Sequence, residues 1–403
     1  MKFYKEKLAN GLTIVGEQNK DVSSVAIGFF VKTGARDESD EVSGVSHFLE
    51  HMLFKGTETR SALDITYQMG AIGAQANAYT SEEATVYYMA ILPEYLKDAV
   101  ELLSDMLRPA LRQSDFDMEK NVILEEIALY KDRPNYLLFE NSLREFFGKH
   151  KAGNSVLGTT KSITDLSSGQ MKKYFDERYA ADNIVFCCSG NFEWEEIKDL
   201  VSKYCESWES SNTKRDYQDF SPQYNFKTLE KSAISQSHLC YVLQGPSAQE
   251  ASRYEADILC NILGDSTGSK LYWELVDKGL ADSASIGADN MDKVGLIYAY
   301  ISCDPKNISK VSETIKKIFS NALDFKKEDL QRSLNKIRTR LVLQGESNMR
   351  RLMSVGNDLI FNEKYFSLEE TQEKYLKVTE SGIKDLLSSF PLDQYTEVHL
   401  LPK

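Results

Sequence analysis

His47 and His51 lie four residues apart, with Glu50 beside the second, in an H-x-x-E-H pattern within residues 44–56, Gly-Val-Ser-His-Phe-Leu-Glu-His-Met-Leu-Phe-Lys-Gly. Val45, Phe48, Leu49, Met52 and Leu53 recur at i, i+3, i+4, i+7 and i+8. That is the period of a helix with one apolar stripe, and it places both imidazoles together on the flanking face. Two imidazoles one turn apart can grip a single metal ion. Zn2+ accepts neutral imidazole nitrogen, and a catalytic zinc has three protein ligands and a water, so a third ligand must come from elsewhere in the chain. Zinc lowers the pKa of bound water to about 7, and a carboxylate within reach, here Glu50, can take the proton as the oxygen attacks a peptide carbonyl. This is the chemistry of peptide hydrolysis. Paired histidines on a helix also serve structurally, capping a neighbour or facing water. The chain has only five histidines, however, and two of them fall in this window.

The elements that must position these residues follow from composition and periodicity. A chain of 403 residues is long for one core, and two domains are expected, over residues 1–212 and 213–403. Hydrophobic residues at 42% and charged residues at 27%, without low-complexity tracts, exclude a disordered chain. The net charge of −13 argues against a nucleic-acid partner. Six cysteines without C-x-x-C spacing, set in apolar runs, predict buried reduced thiols. No stretch approaches the roughly 18 apolar residues of a membrane span, and the first residues carry no apolar leader. A cytoplasmic protein with no membrane span is the resulting expectation.

Residues 4–8 and 12–17 read as a hairpin about an Asn10-Gly11 turn, and residues 24–33 as a strand. Ser43 is the expected N-cap of the motif helix. A short helix over 61–69 and two strands within 70–92 follow, the first strand small-residued through Asn77, Ala78 and Thr80. Small residues on a strand let another backbone come close. That backbone could be a peptide substrate added as a strand, held by Asn77, Ala78 and Thr80, or a neighbouring element in tight packing. Helices are expected over 96–106 and from about 114, and the second carries Glu119, Glu125 and Glu126. Glu119 and Glu126 are seven residues apart and share a face with Val122 and Ile123 between them. Carboxylates on a partly apolar face want a partner, and a metal ion would be one. Spacing alone does not choose between Glu125 and Glu126.

The run from His47 to Thr57, the Asn77-Ala-Tyr-Thr80 strand, the Glu119 to Glu126 helix and the later Val156-Leu-Gly-Thr159 together resemble the pitrilysin and mitochondrial processing peptidase family of zinc metallopeptidases. The resemblance covers most of residues 1–205. It implies His47, His51 and Glu126 as ligands of Zn2+, Glu50 as general base, and Glu119 as the accessory carboxylate that orients a ligand. It also implies short or unfolded peptides as substrates, taken into an enclosed chamber.

Beyond residue 226 the order of elements starts again, with strands over 237–243, 284–288 and 295–303 and helices over 254–263, 268–276, 308–323 and 327–344. A duplicated α+β unit, each copy an antiparallel sheet covered by helices, fits both this repeat and the family's fold. The second copy has Leu259-Cys260-Asn261-Ile262-Leu263 in place of the motif, so one chain offers one zinc site. Members that resemble it carry an Arg and, seven residues later, a Tyr that grip substrate. Here the matching stretch is one residue shorter, with Val276 and Asp282 at those places and Lys270, Tyr272 and Lys278 nearby. The expectation is a zinc endopeptidase acting as a dimer, either a homodimer or a pair with a related subunit that supplies the missing groups. The alternative is a low-activity or non-catalytic peptide-binding subunit of a heteromeric processing peptidase.

Overall fold

In a computed structural model that describes residues 1–403, the Asn10-Gly11 pair reverses the chain, with Gly11 at φ 91°, a value that suits glycine. The turn joins β1 (Lys2–Lys7) to β2 (Thr13–Gln18) as an antiparallel hairpin. The wholly buried β3 (Val25–Val31) leads to α1 (Val45–Met52), α2 (Ala62–Ala71), β4 (Gln75–Thr80), β5 (Thr85–Ile91) and α3 (Leu96–Met106). Next come α4 (Gln113–Lys131), α5 (Pro134–Phe147), α6 (Thr160–Asp165), α7 (Ser168–Arg178), β6 (Ile184–Gly190) and α8 (Trp194–Cys205). The second half runs through β7 (Phe226–Lys231), β8 (Ser237–Gln244), α9 (Arg253–Gly264), β9 (Ser283–Asn290) and β10 (Gly295–Cys303). It closes with α10 (Ile308–Ser320), α11 (Lys327–Gly345), α12 (Asn348–Asn362), α13 (Leu368–Leu376), α14 (Glu380–Ser389) and β11 (Thr396–Pro402).

One sheet has the strand order β1-β2-β6-β3-β5-β4 and the other β7-β11-β8-β10-β9. Set β1 aside and the two orders correspond strand for strand, which is the duplication seen in the sequence. Both sheets are antiparallel except for one pair each, β2 with β6 and β7 with β11, which run parallel. The departure from a purely antiparallel sheet has a simple cause. In each half the closing strand arrives after a long run of helices rather than a hairpin turn, and such a crossover can bring a strand in parallel.

Two compact units result. One comprises Met1–Ala128, Asn154–Asp216 and Gln344–Tyr365, the other Leu129–Gly153, Tyr217–Leu343 and Phe366–Lys403. Each half of the chain thus lends a helix to the other unit. In the first unit α12 lays Leu352, Val355, Leu359 and Ile360 on Val15, Ala26, Phe30, Val86 and Cys187. Arg351 pins it there, donating to both carboxylate oxygens of buried Glu17 at 2.8 and 2.5 Å. Gly356 lets the helix come this close, since a Cβ there would lie 2.2 Å from the Phe30 ring. In the second unit α5 sets Leu138 and Phe146 against Cys240, Val242, Val398 and Leu400. All six cysteines are buried and unpaired, as their apolar settings predict. No helix is long and apolar enough to cross a membrane.

Candidate metal centre

The motif helix α1 buries Val45, Phe48, Leu49 and Met52, the stripe its periodicity predicts. Its N-cap differs from expectation. Gly44, at φ 92°, takes the position rather than Ser43, whose carbonyl instead accepts from the Ser162 hydroxyl at 2.8 Å. The capping group is the carboxylate of Glu38, which accepts from the Gly44 and Ser46 N–H groups at 2.6 and 2.8 Å. One carboxylate satisfies two orphan donors where a hydroxyl would satisfy one, and it sets an acceptor at the positive end of the helix. Burial pushes the Glu38 carboxyl up to about 8, against the pull of those two N–H groups.

Helix α4 buries Phe116, Glu119, Ile123 and Ile127. This phase brings Glu119 and Glu126 to α1 and leaves Glu125 exposed. Ligand atoms of His47, His51 and Glu126 all lie within 4.8 Å of one another. Glu126 Oε2 is 3.4 Å from His51 Nε2 and 3.8 Å from His47 Nε2, both longer than an N–H···O hydrogen bond. Around a tetrahedral zinc with ligands at about 2.1 Å, donor atoms sit ~3.4 Å apart. The spacing therefore suits an ion between the three groups, and two imidazoles with one carboxylate are a donor set that zinc accepts.

The surroundings tune each donor differently. Burial, and then the neighbouring His51, push His47 down to about 4, so it is neutral at pH 7 and free to ligate. At His51 burial also lowers the pKa, but the hydrogen bond to Glu119 and the charges of Glu126, Glu119 and Glu50 outweigh it and the net shift is upward. His51 Nδ1 meets Glu119 Oε1 at 2.8 Å, which fixes the ring and presents Nε2 to the cluster, whereas His47 Nδ1 is buried with no protein partner. The other Glu119 oxygen lies 2.6 Å from Lys55 Nζ. Burial would raise the Glu119 pKa, yet His51 and Lys55 hold it below the usual carboxylate range. Lys55 escaped the sequence reading, although a cation four residues after His51 is the available signal.

Glu50 is oriented by β4, where Thr80 Oγ1 donates to Glu50 Oε2 at 2.7 Å. Burial raises the Glu50 pKa, with Thr80 pulling the other way, and a base is more useful with its pKa moved toward neutrality. Thr80 thus faces the motif glutamate. Asn77 is exposed and accepts from the Ala78 N–H at 2.9 Å, while Ala78 is buried. All three lie on the edge strand of the first sheet, since β4 pairs only with β5.

Substitution separates these carboxylates. Glu119→Gln should weaken zinc affinity about 10- to 100-fold in a competition titration, because it removes the charge that steadies His51. Lys55→Met should shift affinity the same way, and Glu125→Gln should leave it unchanged.

Residues 13–160 match the family described as Insulinase (Peptidase family M16), and residues 165–337 match Peptidase M16 inactive domain. The chain is 32% identical to the uncharacterized zinc protease YmxG of Bacillus subtilis, over 90% of this chain and 89% of that protein. It belongs to peptidase family M16. Another relative, an uncharacterized zinc protease of Rickettsia bellii, is 31% identical over 94% of this chain and 93% of its own. Among solved structures, a protease from Helicobacter pylori superposes with a TM-score of 0.92 at 20% identity, covering 100% of this chain and 99% of that one. A chain of Complex III2 from Candida albicans superposes at 0.87 and 16%, covering 98% and 95%. These likenesses show a shared two-domain M16 fold. The half matched to the inactive domain is the one in which α9 buries Leu259, Cys260, Ile262 and Leu263 where the motif would lie.

Proposed function

We propose that this M16 chain is a zinc-dependent endopeptidase that cleaves short or unfolded peptides. The observation that carries the reading is the convergence of His47 Nε2, His51 Nε2 and Glu126 Oε2, with Glu50 held beside them by Thr80. Zinc bound there supplies Lewis-acid polarisation of the scissile carbonyl and lowers the pKa of water. Glu50 takes the proton of the attacking water on a carboxylate oxygen and returns it to the leaving amine. Thr80 keeps that carboxylate in one rotamer throughout. β4 is the outer strand of its sheet, so an extended peptide can add to it as a further strand alongside Asn77, Ala78 and Thr80, with the Asn77 side chain giving up the Ala78 N–H that it now occupies.

A second reading rests on the second unit. Val276 packs against its core and Asp282 is exposed, so neither offers the donor groups that an Arg and a Tyr would. Lys278 is paired with Glu274 at 2.6 Å, and Lys270 donates to the Asn321 carbonyl at 3.2 Å. These features favour a chain that reaches full activity only as a dimer with a related subunit. The test is to purify the protein alone, measure zinc content and molecular mass, and assay a quenched-peptide library. A zinc-loaded chain that cleaves at ordinary turnover supports the endopeptidase and rejects the partner requirement. A zinc-loaded but sluggish chain supports the partner requirement, and a folded chain that takes up no zinc defeats both.

A further inference from the structure

The segment after α8 carries Arg215, which has a side chain only 2% exposed although no helix or strand holds it. Its guanidinium donates to both oxygens of Asp37, Nε to Oδ1 at 2.9 Å and Nη2 to Oδ2 at 2.7 Å. Nη2 also donates to the Glu83 carbonyl at 2.6 Å. Asp37 belongs to the loop before α1, and the next residue, Glu38, caps that helix. Glu83 belongs to the turn after β4, three residues beyond Thr80. Loop and turn are also joined directly. The Arg36 N–H donates to the Glu82 carbonyl at 2.8 Å, and Arg36 Nη1 to Glu83 Oε1 at 2.5 Å. Gly34 lies so close to the turn that a Cβ would sit 2.3 Å from the Ser81 carbonyl oxygen.

We propose that Arg215 is a positioning residue for hydrolysis. It clamps the loop that caps the motif helix to the turn that ends the Thr80 strand, and so holds the Thr80 hydroxyl against the Glu50 carboxylate, on a helix that itself carries His47 and His51. The buried Arg351 and Glu17 pair is a two-pronged contact of the same kind in the same unit, away from this loop and turn, and serves as the control.

The test compares zinc-loaded full-length Arg215→Met and Arg351→Met with the parent chain. Both should lose thermal stability. Only Arg215→Met should lower kcat, by about 10- to 100-fold, with zinc stoichiometry and KM near the parent values, because an error of about 1 Å in the position of a reacting group costs rate in that range. If Arg215→Met does not fold, Arg215→Lys, which keeps the charge but not the two-pronged geometry, is measured in its place with the same expectation. A folded Arg215 variant with kcat no lower than that of Arg351→Met overturns the proposal. The inference rests on the endopeptidase reading, and the failures are distinguishable. An inactive parent chain defeats that reading and the inference with it, whereas an active parent beside an unimpaired Arg215 variant defeats the inference alone.

Discussion

Glu50→Gln should retain zinc at the parental stoichiometry and lose peptide hydrolysis by at least about 100-fold in kcat, the loss expected when a general base is removed. The substitution is nearly isosteric. Thr80 Oγ1 can still donate to the amide oxygen, and His47, His51 and Glu126 are untouched, so the site keeps its shape and loses only the group that accepts a proton. Metal analysis and turnover of a quenched peptide on the same sample separate the two effects. Near-parental turnover would assign the base elsewhere.

His51→Ala and Glu126→Gln should instead lose the metal. Each removes one of three donors, and affinity should fall well beyond the roughly 10- to 100-fold expected at Glu119, which only supports a donor. His51→Ala has a second cost, because Glu119 is 2% exposed and would keep only Lys55 as its charged partner. The metal-free chain should also show proton competition. His51 must be neutral to ligate, and its pKa in the metal-free fold is raised, so protons contest the site from a higher pH than they would for an ordinary imidazole. Zinc uptake near neutral pH should therefore release protons, measurable in weakly buffered solution, and affinity should weaken steadily on acidification. Tight zinc binding by either variant would remove that residue from the ligand set.

The motif helix and the repeated order of strands were legible in the sequence because both are periodic. The stripe from Val45 to Leu53 fixes the helical phase, and the apolar runs over 24–33, 237–243 and 295–303 read as strands without further information. Glu126 was legible only in part from spacing, which gives residues 125 and 126 equal standing, and it was the resemblance to the peptidase family that chose Glu126 before the buried face of α4 was known. Glu38, Lys55 and Arg215 were not legible as site residues. Lys55 and Arg215 act through partners far along the chain and Glu38 through a loop contact with the backbone six and eight residues on, none of which leaves a period in the sequence, and Arg215 lies just past residue 212, where the first domain was expected to end. The destination of α12 was hidden for a related reason. Its apolar face shows that it packs, but which sheet it covers depends on connectivity that no local pattern records.

That destination bears on synthesis. A nascent chain completes β6, the last strand of the first sheet, at Gly190, but the helix that shields Val15, Phe30 and Cys187 ends at Asn362. At 5–20 residues per second the sheet waits roughly 10 to 35 s for its cover. During that interval an apolar surface stands open beside the ribosome, and the first sheet cannot complete its packing before most of the second half has been translated. A chaperone holding this face, or slow translation that prolongs the wait, would govern the yield of folded protein without touching the metal site.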